Sequence, residues 1–204
     1  AHLTDTGIGA QTGARRLSAL RQFFRFMYGE GLRGDNPASN IDSPRRGRPL
    51  PKVLSETEVD ILLAAARQRA DNPESFDKTA NPVLARFRAL RMCCMLELLY
   101  ATGMRVSELV SLPRSAAHQG GRFLLVIGKG GRERIVPLND TAKDTMTEFA
   151  TYQEKSRSRG GVPTWLFPSF GKSGHWTRQS FARDLKDLAK AAGLDPARVS
   201  PHVI

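Results

Sequence analysis

Residues 14–30, ARRLSALRQFFRFMYGE, place Leu17, Leu20, Phe24 and Met27 three or four apart, while Arg15, Arg21 and Arg25 fall largely off that stripe. The spacing predicts an amphipathic helix with a basic face, ended by Gly31 or Gly34. A second helical pattern runs over 56–70 through Ile61, Leu62 and Ala66. Ser55 and Glu58 form a capping box at its start, and Leu54 and Val59 have the spacing of a hydrophobic staple. Asn81-Pro82 opens a third helix, with the cap and the first-turn proline in their favoured places. Its later half is apolar almost all round, which predicts a buried central helix stopped by Gly103. A short helix in RVSELVSL follows, bounded by Pro113, and then the β-rich runs RFLLVI and RIVPL. Asp140 or Thr141 is expected to cap a helix reaching about Arg157, and Thr177 one that Gly193 closes. The class is mainly α with one small antiparallel β hairpin.

Between the first two helical patterns lies SPRRGRPLP, residues 43–51, without apolar periodicity. Its prolines and glycine read as a linker. The expected organisation is residues 1–42, a basic linker over 43–52, and a larger unit over 53–204. At the far end Ser200-Pro201-His202 starts a helix that only Val203 and Ile204 continue. This reads as a longer chain cut after a first turn.

Charge changes the picture more than length does. Thirty-one Lys+Arg against twenty Asp+Glu give a formal net charge of +11 over 204 residues. A polyanionic partner is the first expectation. No apolar run approaches the ~20 residues of a membrane-spanning helix, and the first ten residues lack the pattern of a secretory signal. Cys93 and Cys94, the only cysteines, sit side by side in an apolar stretch. They read as reduced core residues of a cytoplasmic protein, neither a disulfide framework nor a metal site.

The segment LVIGKGGRERIVPL, 125–138, admits three chemistries. A phosphate-binding loop of the G-x-x-x-x-G-K-[ST] type is excluded, because no Ser or Thr follows Lys129 and Pro137 opposes a following helix. The G-x-x-G clamp of an RNA-binding KH module stays open as an alternative, although that loop joins helices and needs an apolar residue where Arg134 stands. A hairpin with Lys129 near its tip and Arg132 and Arg134 beside it fits best.

Read together with ATGMRVSELVSL, 101–112, this loop resembles the tyrosine recombinases, specifically the Xer chromosome-dimer resolvases and nearest to their XerD branch. Their first box sets an arginine after a glycine turn and a glutamate one helical turn on, which matches Arg105 and Glu108. Their hairpin lysine in G-K-G matches Lys129, and the histidine of H-x-x-R after Ser-Pro matches His202. LSALRQFFRFMYGEGLRGDNPA resembles the end of the family's helical core-binding domain, and LPKVLSETEVDILL the start of its catalytic domain. The resemblance implies that fold and cleavage of DNA through a 3′-phosphotyrosine, requiring no metal and no cofactor. Arg105 would bind the non-bridging oxygens, Glu108 would support it, and Lys129 would protonate the departing oxygen. His202 would bind a phosphate oxygen or manage the tyrosine proton.

Double-stranded DNA is the implied partner, held by Arg15, Arg16, Arg21, Arg25, the linker residues Arg45, Arg46 and Arg48, the hairpin's Arg132 and Arg134, and Thr177 with Arg178. A XerC-type recombinase in a tetramer and a septal DNA translocase are implied as further partners, with bacterial chromosome partition at cell division as the setting. The second arginine and the nucleophilic tyrosine of the family would lie past Ile204. Tyr28, Tyr100 and Tyr152 fall in helical patterns away from the boxes. The expectation is that these 204 residues bind DNA weakly and do not cleave it. A phage or integron integrase, and a DNA-binding protein of the same fold without chemistry, are the alternatives.

Overall fold

The computed structural model describes residues 8–44, 53–73, 81–118, 121–156 and 162–201, with the backbone alone at His118 and Lys129. The chain forms two compact units, Ala1–Pro51 and Lys52–Ile204.

The first unit holds helix α1, Ala10–Gly29. Gly31, at φ +67°, turns the chain, and the Leu32 amide donates back to the Met27 carbonyl at 2.9 Å. This is the left-handed helix ending that glycine favours. Leu17 on the expected stripe is buried and Phe24 and Met27 are half-buried, whereas Leu20 is exposed.

The second unit is built around helix α3, Pro82–Thr102. Asn81 caps it by accepting from the Val83 amide at 2.9 Å. Every residue from Ala89 to Leu99 is buried, as expected for a helix apolar on all sides. Two charged members of that run need partners, because an unpaired buried charge is costly. Glu97 accepts from Arg67 of helix α2, Glu56–Asp71. Arg91 reaches Asp184 at 3.3 Å and lies 3.5 Å from the Trp176 ring centroid. Burial lowers the Arg91 pKa to about 10, partly opposed by Asp184, so it stays charged at neutral pH. The Ser55–Glu58 capping box at the start of α2 is present as expected.

Helix α4, Val106–Val110, follows α3 after a three-residue corner. Strands β1, Phe123–Ile127, and β2, Glu133–Pro137, pair antiparallel, with Val126 opposite Arg134 and Leu124 opposite Val136. Helix α5, Asp140–Lys155, packs along α3. Its cap is Asn139, which accepts from the Ala142 amide at 2.8 Å, and not Asp140 or Thr141. Helix α6, Arg178–Ala191, starts at Thr177 and packs on α2, α3 and α4. Phe149 of α5 stacks on Phe167 with centroids 5.6 Å apart, and α6 adds Phe181 and Leu185 to the same buried core. Cys93 and Cys94 are buried and reduced; burial pushes the Cys93 thiol up to about 12.

Candidate DNA-processing site

The site begins at the corner between α3 and α4. Gly103 adopts φ +57°, ψ +22°, a left-handed conformation that a side chain would strain. Met104 is then buried, and the chain leaves it extended at Arg105, φ −69°, ψ 145°. Anchoring Met104 inward throws the Arg105 side chain outward, and 71% of that side chain is exposed.

Glu108, one turn on, is the opposite case: 4% of its side chain is exposed. It is a buried carboxylate rather than a surface glutamate. Its Oε2 accepts the Arg105 amide at 2.9 Å, and its Oε1 accepts Arg105 Nη1 at 3.1 Å. The same oxygens accept Arg134 Nη1 at 2.8 Å and Nη2 at 2.7 Å. These bonds, led by Arg134, hold the Glu108 carboxyl at about 2 despite its burial. The Arg134 pKa is raised by the same pair.

The hairpin delivers Arg134 by register. Leu124 and Val126 are the buried positions of β1, and their partners Val136 and Arg134 share that inward face. Arg134 thus points where an apolar residue belongs and meets Glu108. The sequence signal was there, in Val136 two positions along, since alternate strand residues share a face. Sequence reasoning grouped Arg134 with exposed basic residues instead. At the hairpin neck the Gly128 amide donates to the Arg132 carbonyl at 2.7 Å, and a methyl on Gly128 would stand 3.4 Å from Glu108 Oε1. Lys129–Gly131 then form a single tight turn, with Gly130 and Gly131 at φ +78° and +74°. The backbone of Lys129 is therefore next to the neck that touches Glu108. This loop joins two strands, which removes the RNA-clamp alternative.

The segment leading to His202 is held from two sides. Val199 is buried, and Arg198 donates to both Glu58 oxygens at 2.6 and 3.1 Å. That pairing was not foreseen. His202 itself, like Arg45, Arg46 and Arg48, lies outside the described residues.

The remaining basic candidates divide. Arg15, Arg16, Arg25, Arg132 and Arg178 are exposed. Arg21 instead donates to the Ala38 carbonyl, to Ser43 Oγ at 3.1 Å and to the Ile41 carbonyl, so its guanidinium serves its own unit. Thr177 accepts from the Ser180 amide at 3.1 Å and donates to Ser180 Oγ, which makes it a helix cap. Tyr152 donates to the Val83 carbonyl at 3.0 Å. Among the described residues no cluster of His, Cys, Asp or Glu could hold a metal ion, and no helix is long and apolar enough to cross a membrane.

A helical core around α3, an exposed arginine at the α3–α4 corner and a lysine-bearing two-stranded sheet make up the tyrosine recombinase catalytic fold. The chain superimposes on a XerH site-specific recombinase, solved with palindromic difH substrate in a post-cleavage complex, at a TM-score of 0.69 and 18% identity, over 97% of this chain and 55% of that one. A lambda integrase dimer bound to a COC' core site gives 0.59 and 19%, over 95% of this chain and 49% of that one. The chain belongs to the phage integrase family, whose model matches residues 52–204. It is 51% identical to the tyrosine recombinase XerD of Bradyrhizobium diazoefficiens, over 100% of this chain and 64% of that protein. It is 42% identical to that of Caulobacter vibrioides, over 97% of this chain and 60% of that protein. The chain thus spans less than two thirds of the length of these relatives.

Proposed function

We propose that the chain carries the core of a site-specific DNA recombinase, which breaks and rejoins duplex DNA through a 3′-phosphotyrosine. The observation that supports this reading most is the exposed guanidinium of Arg105, fixed at its base by Glu108 and set beside the Lys129 hairpin. Attack of a tyrosine oxygen on the scissile phosphorus builds extra negative charge on the non-bridging oxygens. A guanidinium is always charged and offers paired donors, so Arg105 suits that charge as it develops. The bond from phosphorus to the 5′ oxygen then breaks, and Lys129 supplies the proton that the departing oxygen takes up. His202 binds a phosphate oxygen or receives the tyrosine proton. Because the phosphotyrosine conserves the ester, rejoining by a 5′ hydroxyl needs no nucleotide cofactor.

The biological reading follows the XerD relatives: resolution of chromosome dimers in the bacterial cytoplasm, in a tetramer with a XerC-type partner, under a septal DNA translocase. Residues 1–42 act as the end of a core-binding domain, and Arg45, Arg46 and Arg48 follow the backbone between the two domains. Arg15, Arg16, Arg25, Arg132 and Arg178 supply further phosphate contacts.

The test has two arms. The 204-residue chain is titrated with duplex DNA over a series of salt concentrations, and a steep loss of affinity with salt is expected. A protein of the relatives' full length is then incubated with a nicked duplex carrying the target site. A covalent adduct is expected, with a rate that Arg105→Ala lowers by about a hundredfold. Tight binding without any adduct would leave a DNA-binding protein of this fold. Absence of binding would remove the recombinase reading altogether.

A further inference from the structure

Glu108 has no acceptor capacity left. An ionised carboxylate offers about four acceptor positions, and four are filled: Arg105 Nη1 and Arg134 Nη1 on Oε1, the Arg105 amide and Arg134 Nη2 on Oε2. Such a group neither binds substrate nor takes a proton from it. It sits, moreover, against a side chain the reaction needs as a cation. A buried carboxylate paired with Arg105 alone would cancel that charge. With Arg134 present the cluster holds two guanidiniums and one carboxylate, a net +1. The exposed part of that charge lies mainly on Arg105, whose side chain is 71% open against 38% for Arg134. Arg134 also makes the tighter bonds, 2.8 and 2.7 Å in a two-pronged arrangement, against 3.1 Å for the single Arg105 guanidinium bond. Arg105 is thereby held at one edge and left open at the other.

We propose that Arg134 is a positioning residue: by occupying both oxygens of Glu108 it ties the Lys129 hairpin to the Arg105 corner and keeps the charge of Arg105 available for a phosphate. This rests on the recombinase reading above for the identity of the phosphate, which is that of DNA. It assigns Arg134 a role different from a direct phosphate contact. The geometry of the neck agrees with the coupling, since a methyl on Gly128, the residue before Lys129, would already meet Glu108 Oε1 at 3.4 Å.

The experiment compares wild type, Glu108→Gln, Arg134→Gln and the double variant, all as the 204-residue chain, by two readouts. Carbon-13 NMR follows the Glu108 carboxyl titration, and fluorescence anisotropy follows affinity for a duplex oligonucleotide. In R134Q the Glu108 midpoint should rise from about 2 toward the ordinary carboxylate range. DNA affinity should fall about tenfold, as expected when one partner of a charged hydrogen-bonded pair is lost. Removing the Glu108 charge as well should restore most of that loss, because nothing then cancels Arg105. If R134Q weakens DNA binding by the same factor with or without Glu108, Arg134 is an independent phosphate contact and the proposal is overturned. An unmoved Glu108 midpoint overturns it equally. Should R134Q fail to fold, Arg134→Lys takes its place, since lysine keeps the charge but cannot grip both oxygens. Wild-type chain that binds no duplex DNA sinks the recombinase reading, and the Glu108 midpoint still decides the link between Arg134 and Glu108.

Discussion

At the residue scale the Glu108 carboxyl makes a pH prediction with a definite sign. Its folded pKa, about 2, lies below the ordinary 4.5. Glu108 therefore stabilises the fold fully above about pH 4.5, and the contribution is lost as pH falls toward 2. The whole effect is roughly 3 kcal/mol, of which about 2 kcal/mol is gone by pH 3. Urea unfolding at pH 6 and pH 3 should show that acid loss in wild type and not in Glu108→Gln; equal acid sensitivity in both would sink the assignment. Arg21 carries a second prediction. Its three bonds stay within residues 38–43, so Arg21→Gln should destabilise the first unit by about 1–2 kcal/mol. Arg25→Gln, at an exposed position one turn on, should change stability by less than about 0.5 kcal/mol. Thermal unfolding of the two variants separates the roles. The sequence pattern alone grouped Arg21 with Arg25, because both leave the apolar stripe. Which of them finds carbonyls depends on how residues 38–43 return past the helix, and no local pattern encodes that.

At the element scale the helix ends discriminate best. Asn139, Asp140 and Thr141 are three cap-forming residue types in a row, and only the bond from the Ala142 amide to Asn139 Oδ1 chooses among them. Asn139→Ala should cost about 1 kcal/mol in chemical denaturation, whereas Thr141→Ala should stay within about 0.5 kcal/mol. The opposite ranking would mean the helix starts later. Where the cap stood alone, as at Ser55, Asn81 and Thr177, it was legible in advance, and so were the helix stop at Gly103 and the strand pair. The charged residues inside buried elements were not legible. Arg91 and Glu97 lie in a run that reads as apolar, and their partners Asp184 and Arg67 are 93 and 30 residues away. Arg134 is the same problem in a strand. Its neighbours define an inward face, but only the carboxylate of Glu108, 26 residues back, makes a guanidinium acceptable there.

At the scale of the whole molecule the excess of positive charge has to be divided between cations that serve the fold and cations available to a polyanion. Arg67, Arg91, Arg114, Arg134 and Arg198 each form an ion pair across elements of the second unit. A net charge of +11 by itself therefore overstates nothing about attraction at long range, yet it says little about which side chains touch phosphate. Salt dependence makes the distinction, because each phosphate neutralised contributes about 0.9 to the slope of log affinity against log salt. Arg15, Arg16 and Arg25 are exposed on α1, and among the described residues they make no side-chain hydrogen bonds like those of Arg21. Replacing all three by glutamine should reduce the magnitude of the slope by nearly 3, by the same rule of about 0.9 per contact. Replacing Arg21 should leave the slope nearly unchanged while lowering the unfolding temperature. If the triple variant binds duplex DNA with the wild-type slope, α1 does not contact the backbone. Binding would then rest on the second unit, where Arg105, Arg132 and Arg178 are the exposed arginines of the proposed surface.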